Sequence, residues 1–300
     1  MANMNTNSPI FRSIAWYGTR LQHRGSHRIV DVLRRVAGAD IDAELTVARG
    51  GLRWQLNPAD FVHQDVFWHG SKDRWDVWHI ERLLPADAVI VDIGSNFGYY
   101  ALHLTHALGS AARAFAFEPM PGNFARLSTN IALNDAGGRV RALNYALSDA
   151  PGEARMAPRA GNSGSAQIGS RAPDAMVIPL DTLDLTWDRV AASGEGPDFV
   201  KIDVEGHEIR VLQGARGVMS RFHPAVLIEV DPPRLAEAGS NTAELQNYFD
   251  ALGYRAFVTE RTHLREVQIG CVQDLVNVIC LHKDRHADQI ARALQTSRPH

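Results

Sequence analysis

Carboxylate side chains stand at the ends of several apolar runs of this sequence. Asp92 closes VIVD, Glu118 follows AFAF, Asp203 and Glu205 follow FVKI, and Glu229 lies in VLIEV. Short apolar runs of this kind predict buried strands of a parallel sheet, and ligands bind outside the carboxyl ends of such strands. Carboxylates there can accept hydrogen bonds from ligand hydroxyls and take up a proton. The pattern predicts one acidic ligand site along a sheet edge.

A glycine-containing turn, Gly94 to Gly98, separates the first of these strands from a predicted helix. Glycine permits the sharp turn, and the first N–H groups of the helix point towards the ligand crevice. A dinucleotide fingerprint reads GxGxxG, and its middle glycine lets the backbone approach a pyrophosphate. In this sequence Asn96 stands in place of that glycine. A nicotinamide cofactor is therefore the less favoured alternative. Asp92, two residues before the turn, fits a ligand with a cationic amino acid group.

Glu118 lies 24 positions after Gly94, at the end of the second predicted strand. An acidic side chain at this place can accept both hydroxyls of a ribose. The alternative is an exposed glutamate at a strand end. The glycine turn that precedes it favours the ribose role.

Three residues are candidates for a general base, namely Asp203, His207 and Glu229. Strand alternation places Asp203 and Glu205 on one side of the sheet, and Glu205 and Glu229 are candidate substrate contacts. His207 has a suitable ordinary pKa, although its alternative role is to cap or pack against the helix that follows. Asp203, Glu205 and Glu229 also offer oxygen ligands for Mg²⁺, but no further pair of aspartates accompanies them. We expect no metal.

Strand and helix patterns alternate from residue 88 onward, which predicts an α/β fold with a seven-stranded, mostly parallel sheet and helices on both faces. The predicted strands are Val89–Ile93, Ala114–Glu118, Val140–Tyr145, Phe199–Asp203, Val226–Val230, Tyr254–Val258 and Val276–Leu281. The Gly-, Ser- and Pro-rich stretch from 150 to 175 is predicted to be a loop or a weakly structured insertion.

The chain before this region predicts an N-terminal extension, residues 1–84. It comprises a helix over Ser26–Val36, a hairpin around Gly50 and Gly51, and an aromatic-rich segment from Asp65 to Leu84. The expected domain organisation continues with a catalytic domain over residues 85–285 and a C-terminal tail over residues 286–300.

The composition favours no charged partner. The 300 residues carry a formal charge of −3, which gives no general argument for nucleic acid or an anionic membrane. Cys271 and Cys280 are expected to be buried, reduced thiols, since two cysteines cannot form a disulfide framework. No apolar run reaches the length of a membrane-spanning helix. The expected location is cytoplasmic.

Four segments together resemble the FkbM family of S-adenosylmethionine-dependent methyltransferases: VDIGSNFGYYALHL, AFEPMPGNFARLSTNIALN, NYALSD and FVKIDVEGHEIRVLQGA. The resemblance implies a Rossmann-like class I methyltransferase fold with a reversed final strand. It places Asp92, Gly94 and Asn96 on the methionine side of the donor, with Gly98 closing the same turn, and Glu118 on the ribose. The resemblance further places Leu147, Ser148 and Asp149 near the adenine, and Asp203, Glu205 and Gly206 towards donor and acceptor.

The implied reaction is O-methylation of a hydroxyl on a sugar, glycan or natural-product acceptor. Asp231-Pro232-Pro233 resembles the DPPY signature of amino-methyltransferases that act on nucleobases, but Arg234 stands where that signature has its aromatic residue. An amino-methyltransferase, a nicotinamide-dependent oxidoreductase and a non-catalytic adaptor are therefore the less favoured alternatives. The expected partner is a small-molecule or glycan acceptor, with no nucleic acid and no membrane; the sequence leaves the identity of the acceptor and the oligomeric state open.

Overall fold

The N-terminal extension forms two helices, a hairpin and a helical segment. The computed structural model describes residues 9–20, 25–38, 41–159, 162–169 and 172–296. The elements of the extension are α1 (Pro9–Arg20), α2 (Ser26–Val36), β1 (Leu45–Arg49), β2 (Leu52–Leu56), α3 (Phe61–Gln64), a π-helical turn (Asp65–His69) and α4 (Arg74–Leu83). Gly50 and Gly51 both adopt positive φ at the tip of the hairpin, as the sequence predicts.

Strands and helices then alternate along the chain. In order, they are β3 (Val89–Ile93), α5 (Tyr99–Leu108), β4 (Arg113–Phe117), α6 (Pro121–Leu133), β5 (Val140–Leu143), β6 (Ala146–Leu147), β7 (Gly152–Arg159), β8 (Asn162–Ile168), β9 (Met176–Asp181), α7 (Leu183–Val190), β10 (Phe199–Ile202), α8 (Glu208–Gln213), α9 (Arg216–Phe222), β11 (Ala225–Val230), α10 (Pro232–Glu237), α11 (Thr242–Ala251), β12 (Tyr254–Glu260), β13 (His263–Val267), a 3₁₀ turn (Ile269–Cys271), β14 (Val276–His282) and α12 (Ala287–Thr296).

The main sheet has the strand order β13-β12-β14-β11-β10-β3-β4-β5. The five strands from β11 to β5 run parallel, and β14 is antiparallel to both of its neighbours. The α/β class, the mostly parallel sheet and the reversed last strand are confirmed. The predicted number of seven strands is wrong, because β13 adds an eighth strand at the edge. Its exposed residues are polar (Arg265, Glu266), so it lacks the apolar run that marks a strand in the sheet centre.

A second sheet has four strands in the order β6-β9-β7-β8, and two of them, β7 and β8, lie in the stretch predicted to be a loop. That prediction is wrong: β7 pairs with β8 and β9, and Met156, Ala166 and Ile178 form a small apolar cluster with Met120 and Ala146. Antiparallel strands can pair their backbone polar groups without being long apolar runs. A Gly- and Ser-rich stretch can therefore form strands although its composition is typical of a loop. Residues 160, 161, 170 and 171 of this predicted insertion lie outside the described residues.

Apolar clusters cover both faces of the main sheet. Alternation along β3 sends Ile90 into one cluster and Val89, Val91 and Ile93 into the other. Trp54 and Trp68 of the N-terminal extension are buried in the first cluster, so the extension completes the core of the sheet. Among the described residues, no helix is both long enough and apolar enough to cross a membrane.

The two cysteines differ in exposure. Cys280 is buried in β14, as expected, whereas Cys271 is exposed in the 3₁₀ turn. The expectation that both are buried is therefore wrong for Cys271: Ile269 is the residue of this turn that packs into the core, and Cys271 stays at the surface.

Asn130 of α6 connects the N-terminal hairpin to the turn after β3. Its side chain is fully buried; Oδ1 accepts a hydrogen bond from the N–H of Gln55 at 2.6 Å, and Nδ2 donates to the carbonyl of Phe97 at 2.9 Å. Removing the amide would leave two backbone groups without partners in a buried place. The hairpin is thus connected to the glycine turn through Asn130, in addition to the direct packing of Trp54 against Phe97.

We expect Asn130→Ala to lower the free energy of unfolding by about 2–4 kcal/mol, since two hydrogen bonds are lost in the interior. Ser128→Ala, an exposed substitution on the same helix, should change it by about 0.5 kcal/mol or less. Denaturant titration of both variants measures the difference. Equal stability of the two variants would contradict the connecting role of Asn130.

Candidate functional site

A cavity of about 410 Å³ lies at the carboxyl ends of the central strands β3, β4, β10 and β11. This volume is in the range of small-molecule sites, about 300–1,000 Å³. The cavity lining comes from three parts of the chain: the main sheet, the small sheet, and the N-terminal extension. The predicted site residues that line it are Gly94, Asn96, Glu118, Leu147, Asp203, Glu205 and Glu229.

The glycine turn packs directly against the end of β10. Gly94 has φ +73°, and a Cβ at this position would lie 1.9 Å from the carbonyl oxygen of Asp203. The N–H groups of Gly94 and Ser95 donate to the carbonyl of Phe117, at the end of β4. Only glycine fits at residue 94, because both the φ angle and the close approach exclude a side chain.

Asp92 holds this turn from behind and does not line the cavity. It is fully buried, and its Oδ2 accepts hydrogen bonds from Ser95 Oγ at 2.8 Å and from the N–H of Ala101 at 3.1 Å. Gly98 also lies outside the lining, at the start of α5, where a Cβ would meet Leu127. Both residues shape the turn from outside the cavity.

Glu118 presents a buried carboxylate to the cavity. Its Oε1 accepts from the N–H of Met120 and its Oε2 from the N–H of Asn96, both at 2.8 Å. Burial raises the pKa of Glu118 to about 7, and the two backbone hydrogen bonds oppose that rise. The carboxylate is therefore fixed in orientation by the turn it faces.

Lys201 connects the ends of two strands through its ammonium group. Nζ donates to the carbonyl of Gly94 at 2.7 Å and lies 3.2 Å from Asp203 and 3.6 Å from Asp92. Lys72, from the loop before α4, lies 3.9 Å from the same Asp203 carboxylate. Burial alone would raise the pKa of Asp203, but the two ammonium groups outweigh it and hold that pKa below its ordinary value.

Glu229 faces Asp203, and its pKa is shifted in the opposite direction. The charge of Asp203, followed by burial and by Glu205, raises the pKa of Glu229 to about 9. Two carboxyl groups this close cannot both ionise easily, so the Asp203–Glu229 pair carries one proton at neutral pH. Glu205 has a pKa raised to about 7 by burial and by Asp203, against the ion pair with Arg234 at 3.3 Å.

Carboxylate oxygens of Asp203, Glu205 and Glu229 all lie within 4.8 Å of one another. We call these three residues the acidic cluster. Their spacing suits hydroxyl donors, and it would also suit a cation with oxygen ligands. The ammonium groups of Lys72 and Lys201 already supply positive charge to it.

Besides Asp92 and Gly98, three further predicted site residues lie outside the cavity lining: His207, Ser148 and Asp149. Ser148 Oγ lies 2.9 Å from His207 Nε2, and Asp149 forms an ion pair with Arg210 at 3.0 Å. Burial, with a contribution from Arg210, lowers the pKa of His207 to about 4. The ring of His207 contacts the loop after β6, so the structure does not bring this candidate base together with the acidic cluster.

Other lining residues have no signal in the sequence that marks them as functional. Lys72 lies in the aromatic-rich segment, and Ser163 lies in the predicted loop. Ser163 Oγ is within 3.3 Å of the Asn96 side chain, and its carbonyl accepts from Asn123 Nδ2 at 2.9 Å, so the small sheet is attached to the glycine turn. By contrast, Asp231 and Arg234 lie in the segment that resembles the DPPY signature, and Lys201 lies in the FVKIDVEGHE segment. Asp231 caps α10 there by accepting from the N–H of Arg234.

Residues 92–256, more than half of the chain, match the methyltransferase FkbM domain. This chain belongs to the FkbM methyltransferase family. The family is one of S-adenosylmethionine-dependent methyltransferases, and residues 92–256 of this chain carry its domain. The membership excludes the nicotinamide oxidoreductase considered from the glycine turn alone.

Two curated relatives illustrate the range of the family. The chain is 34% identical over 149 residues to hexuronic acid methyltransferase AglP of Haloferax volcanii, covering 48% of this chain and 56% of the relative. It is 29% identical over 185 residues to methyltransferase sdnD of Sordaria araneosa, covering 52% of this chain and 68% of the relative. The crystal structure of methyltransferase FkbM from Methylobacillus flagellatus KT aligns with a TM-score of 0.46 and 17% identity, over 66% of this chain and 44% of that chain.

The raised pKa of Glu229 has a consequence for stability. Between its ordinary value of 4.5 and about 9, the folded state holds a proton that the unfolded state has lost, so stability falls as pH rises. Glu229→Gln removes this dependence. We expect the melting temperature of the variant, relative to wild type, to rise steadily from about pH 5 to about pH 8, corresponding to at most about 1.4 kcal/mol per pH unit.

Asp87→Asn provides the control, since Asp87 is an exposed carboxylate in the turn before β3, away from the cavity. Its melting curve should follow that of wild type at every pH. Parallel pH dependence of Glu229→Gln and wild type would show that the Asp203–Glu229 pair holds no extra proton.

Proposed function

We propose that the protein transfers the methyl group of S-adenosylmethionine to a hydroxyl of a sugar, a glycan or a polyhydroxylated natural product. The observation that carries the proposal is the acidic cluster at one end of the cavity. Carboxylates accept hydrogen bonds from hydroxyls and can take the proton that an alcohol loses on methylation. An acceptor rich in hydroxyls suits such a lining.

The opposite part of the lining suits the methyl donor. We propose that Glu118 holds the ribose hydroxyls, that Gly94 and Asn96 contact the methionine portion, and that Leu147 lies against the adenine. The buried carboxylate of Glu118 supports the first role. Backbone N–H groups hold both of its oxygens in place, and no described Lys, Arg or His lies within ion-pair distance to compete with the ribose hydroxyls. Apolar Met120 and Met156 near Leu147 support the last role.

The donor, when bound, supplies a methyl group on a positively charged sulfur. Asp203 then orients the acceptor hydroxyl and accepts its proton, because Lys201 and Lys72 keep this carboxylate ionised. Glu229 carries the proton of the pair and contacts the substrate as a hydrogen-bond donor. Alignment of the two reactants and proton removal are the two contributions that the chain itself makes.

The relatives support a sugar as the acceptor class, since AglP is a hexuronic acid methyltransferase. A hexuronic acid offers both hydroxyl and carboxylate oxygens for methylation. A carboxylate needs no base before it is methylated, whereas an alcohol does, and the ionised Asp203 can serve as that base. This argument favours a hydroxyl as the methylated group in this protein.

The stability of the product towards alkali tests this choice. Methyl-labelled donor is incubated with the enzyme and a panel of neutral sugars, uronic acids and amino sugars, and the product is then treated with mild alkali. We expect the label to remain on the sugar, since a methyl ether resists alkali. Release of the label as methanol would indicate a methyl ester, and label on nitrogen would indicate an amino-methyltransferase; either result would contradict O-methylation of a hydroxyl.

Asp203→Asn is expected to lower turnover by about 10²–10⁴-fold while the affinity for S-adenosylhomocysteine changes little, because the amide cannot accept the hydroxyl proton. Calorimetry and single-turnover rates separate the two effects, and Asp87→Asn serves as the control at an exposed carboxylate outside the cavity. If donor binding is lost and turnover of the bound complex is normal, Asp203 belongs to the donor site instead.

A further inference from the structure

Helix α2 exposes an apolar stripe to solvent. Ile29, Val32, Leu33 and Val36 follow the i, i+3, i+4, i+7 spacing of one helix face, and they are 41%, 58%, 41% and 83% exposed. A stripe of this kind ordinarily faces the core. Here a different face, which carries Ser26, Val30 and Arg34, is buried against the protein instead.

The neighbouring helix α1 adds to this surface. Six of the eleven large apolar side chains that are exposed in the described chain lie on α1 and α2: Ile10, Trp16, Ile29, Val32, Leu33 and Val36. The two helices pack against each other, and we call their solvent-facing residues the α1–α2 surface. Apolar exposure that is concentrated in this way indicates an interaction site, whereas single exposed residues need no explanation.

Arginines accompany the apolar residues on both helices. Trp16 lies between Arg12 and Arg20 at i−4 and i+4 on α1, and Arg28 and Arg35 are exposed along one side of the α2 stripe. Among the described residues of the two helices, Asp31 is the only acidic side chain, and it pairs with Arg34 at 3.0 Å. The surface is thus strongly positive, although the whole chain has a formal charge of −3.

The charge selects among the occupants that an apolar surface can have. A twofold dimer through this surface would bring the arginines of one copy against those of the other, since such an interface pairs a patch with itself. Helices with exposed tryptophan and aliphatic residues beside arginines bind the interface of anionic membranes.

We propose that the α1–α2 surface binds an anionic lipid bilayer, with the two helices lying on the membrane. The sequence-based expectation of no membrane partner rests on the formal charge of −3 for the whole chain. That total hides the positive charge of α1 and α2, because the rest of the chain is acidic. The surface also lies next to the site: the backbone of Trp68 packs against Gly18 of α1, His69 stacks on His27 at 3.9 Å, and the same segment continues to Lys72 in the cavity. Membrane binding would place the cavity near acceptors at the lipid surface.

Vesicle flotation with the full chain tests the proposal. We expect the protein to float with vesicles of phosphatidylcholine and phosphatidylglycerol, to remain unbound with phosphatidylcholine alone, and to dissociate as salt is raised. The double variants Val32→Ser/Val36→Ser and Arg28→Glu/Arg35→Glu should each reduce the bound fraction, the second by about tenfold or more in partition constant. All four positions are exposed, so the melting temperatures should equal that of wild type.

Leu185→Ser is the matched control, because Leu185 is a 50% exposed aliphatic residue on α7, outside the α1–α2 surface. It should float like wild type. The proposal is wrong if wild type fails to bind anionic vesicles, or if the serine and glutamate variants bind them as well as the control. A change from dimer to monomer in the serine variant, without lipid binding by wild type, would assign the surface to a second copy of the chain instead.

Discussion

The arrangement of the site depends on a single buried ammonium group. Lys201 lies in the central strand β10, where an unpaired charge would be strongly destabilising. Its partners are the carbonyl of Gly94 and the carboxylates of Asp92 and Asp203. These partners belong to the ends of two neighbouring strands, so satisfying the charge also fixes the glycine turn against the acidic cluster.

The acidic cluster gains its distinct protonation states from this pairing. Lys201 and Lys72 keep Asp203 ionised, and the charge of Asp203 in turn keeps Glu229 protonated. Lys72 comes from the N-terminal extension, which also buries Trp54 and Trp68 in the core of the sheet. Packing and electrostatics therefore make the extension part of the site, even though the family match begins only at residue 92.

The sequence predicts the parallel sheet and the acidic strand ends because both follow from local patterns: apolar runs, glycine turns and the residues that close them. It does not predict the small sheet, whose inserted strands β7 and β8 are short of apolar residues. Nor does it predict the role of Lys72, which depends on a contact with Asp203 across 131 positions. His207 is the reverse case. Its ordinary pKa suits a base, but only the fold shows that its ring turns towards Ser148. Long-range contacts of this kind leave no periodic signal in a single sequence.

A crystal structure with bound S-adenosylhomocysteine tests the central claim most directly, namely that one cavity holds the donor between the glycine turn and the acidic cluster. The account predicts the ribose hydroxyls on the Glu118 carboxylate and the sulfur directed towards the Asp203–Glu229 pair, with Lys201 still contacting the carbonyl of Gly94. A ligand bound away from Glu118, or a sulfur separated from that pair by the protein backbone, would contradict it.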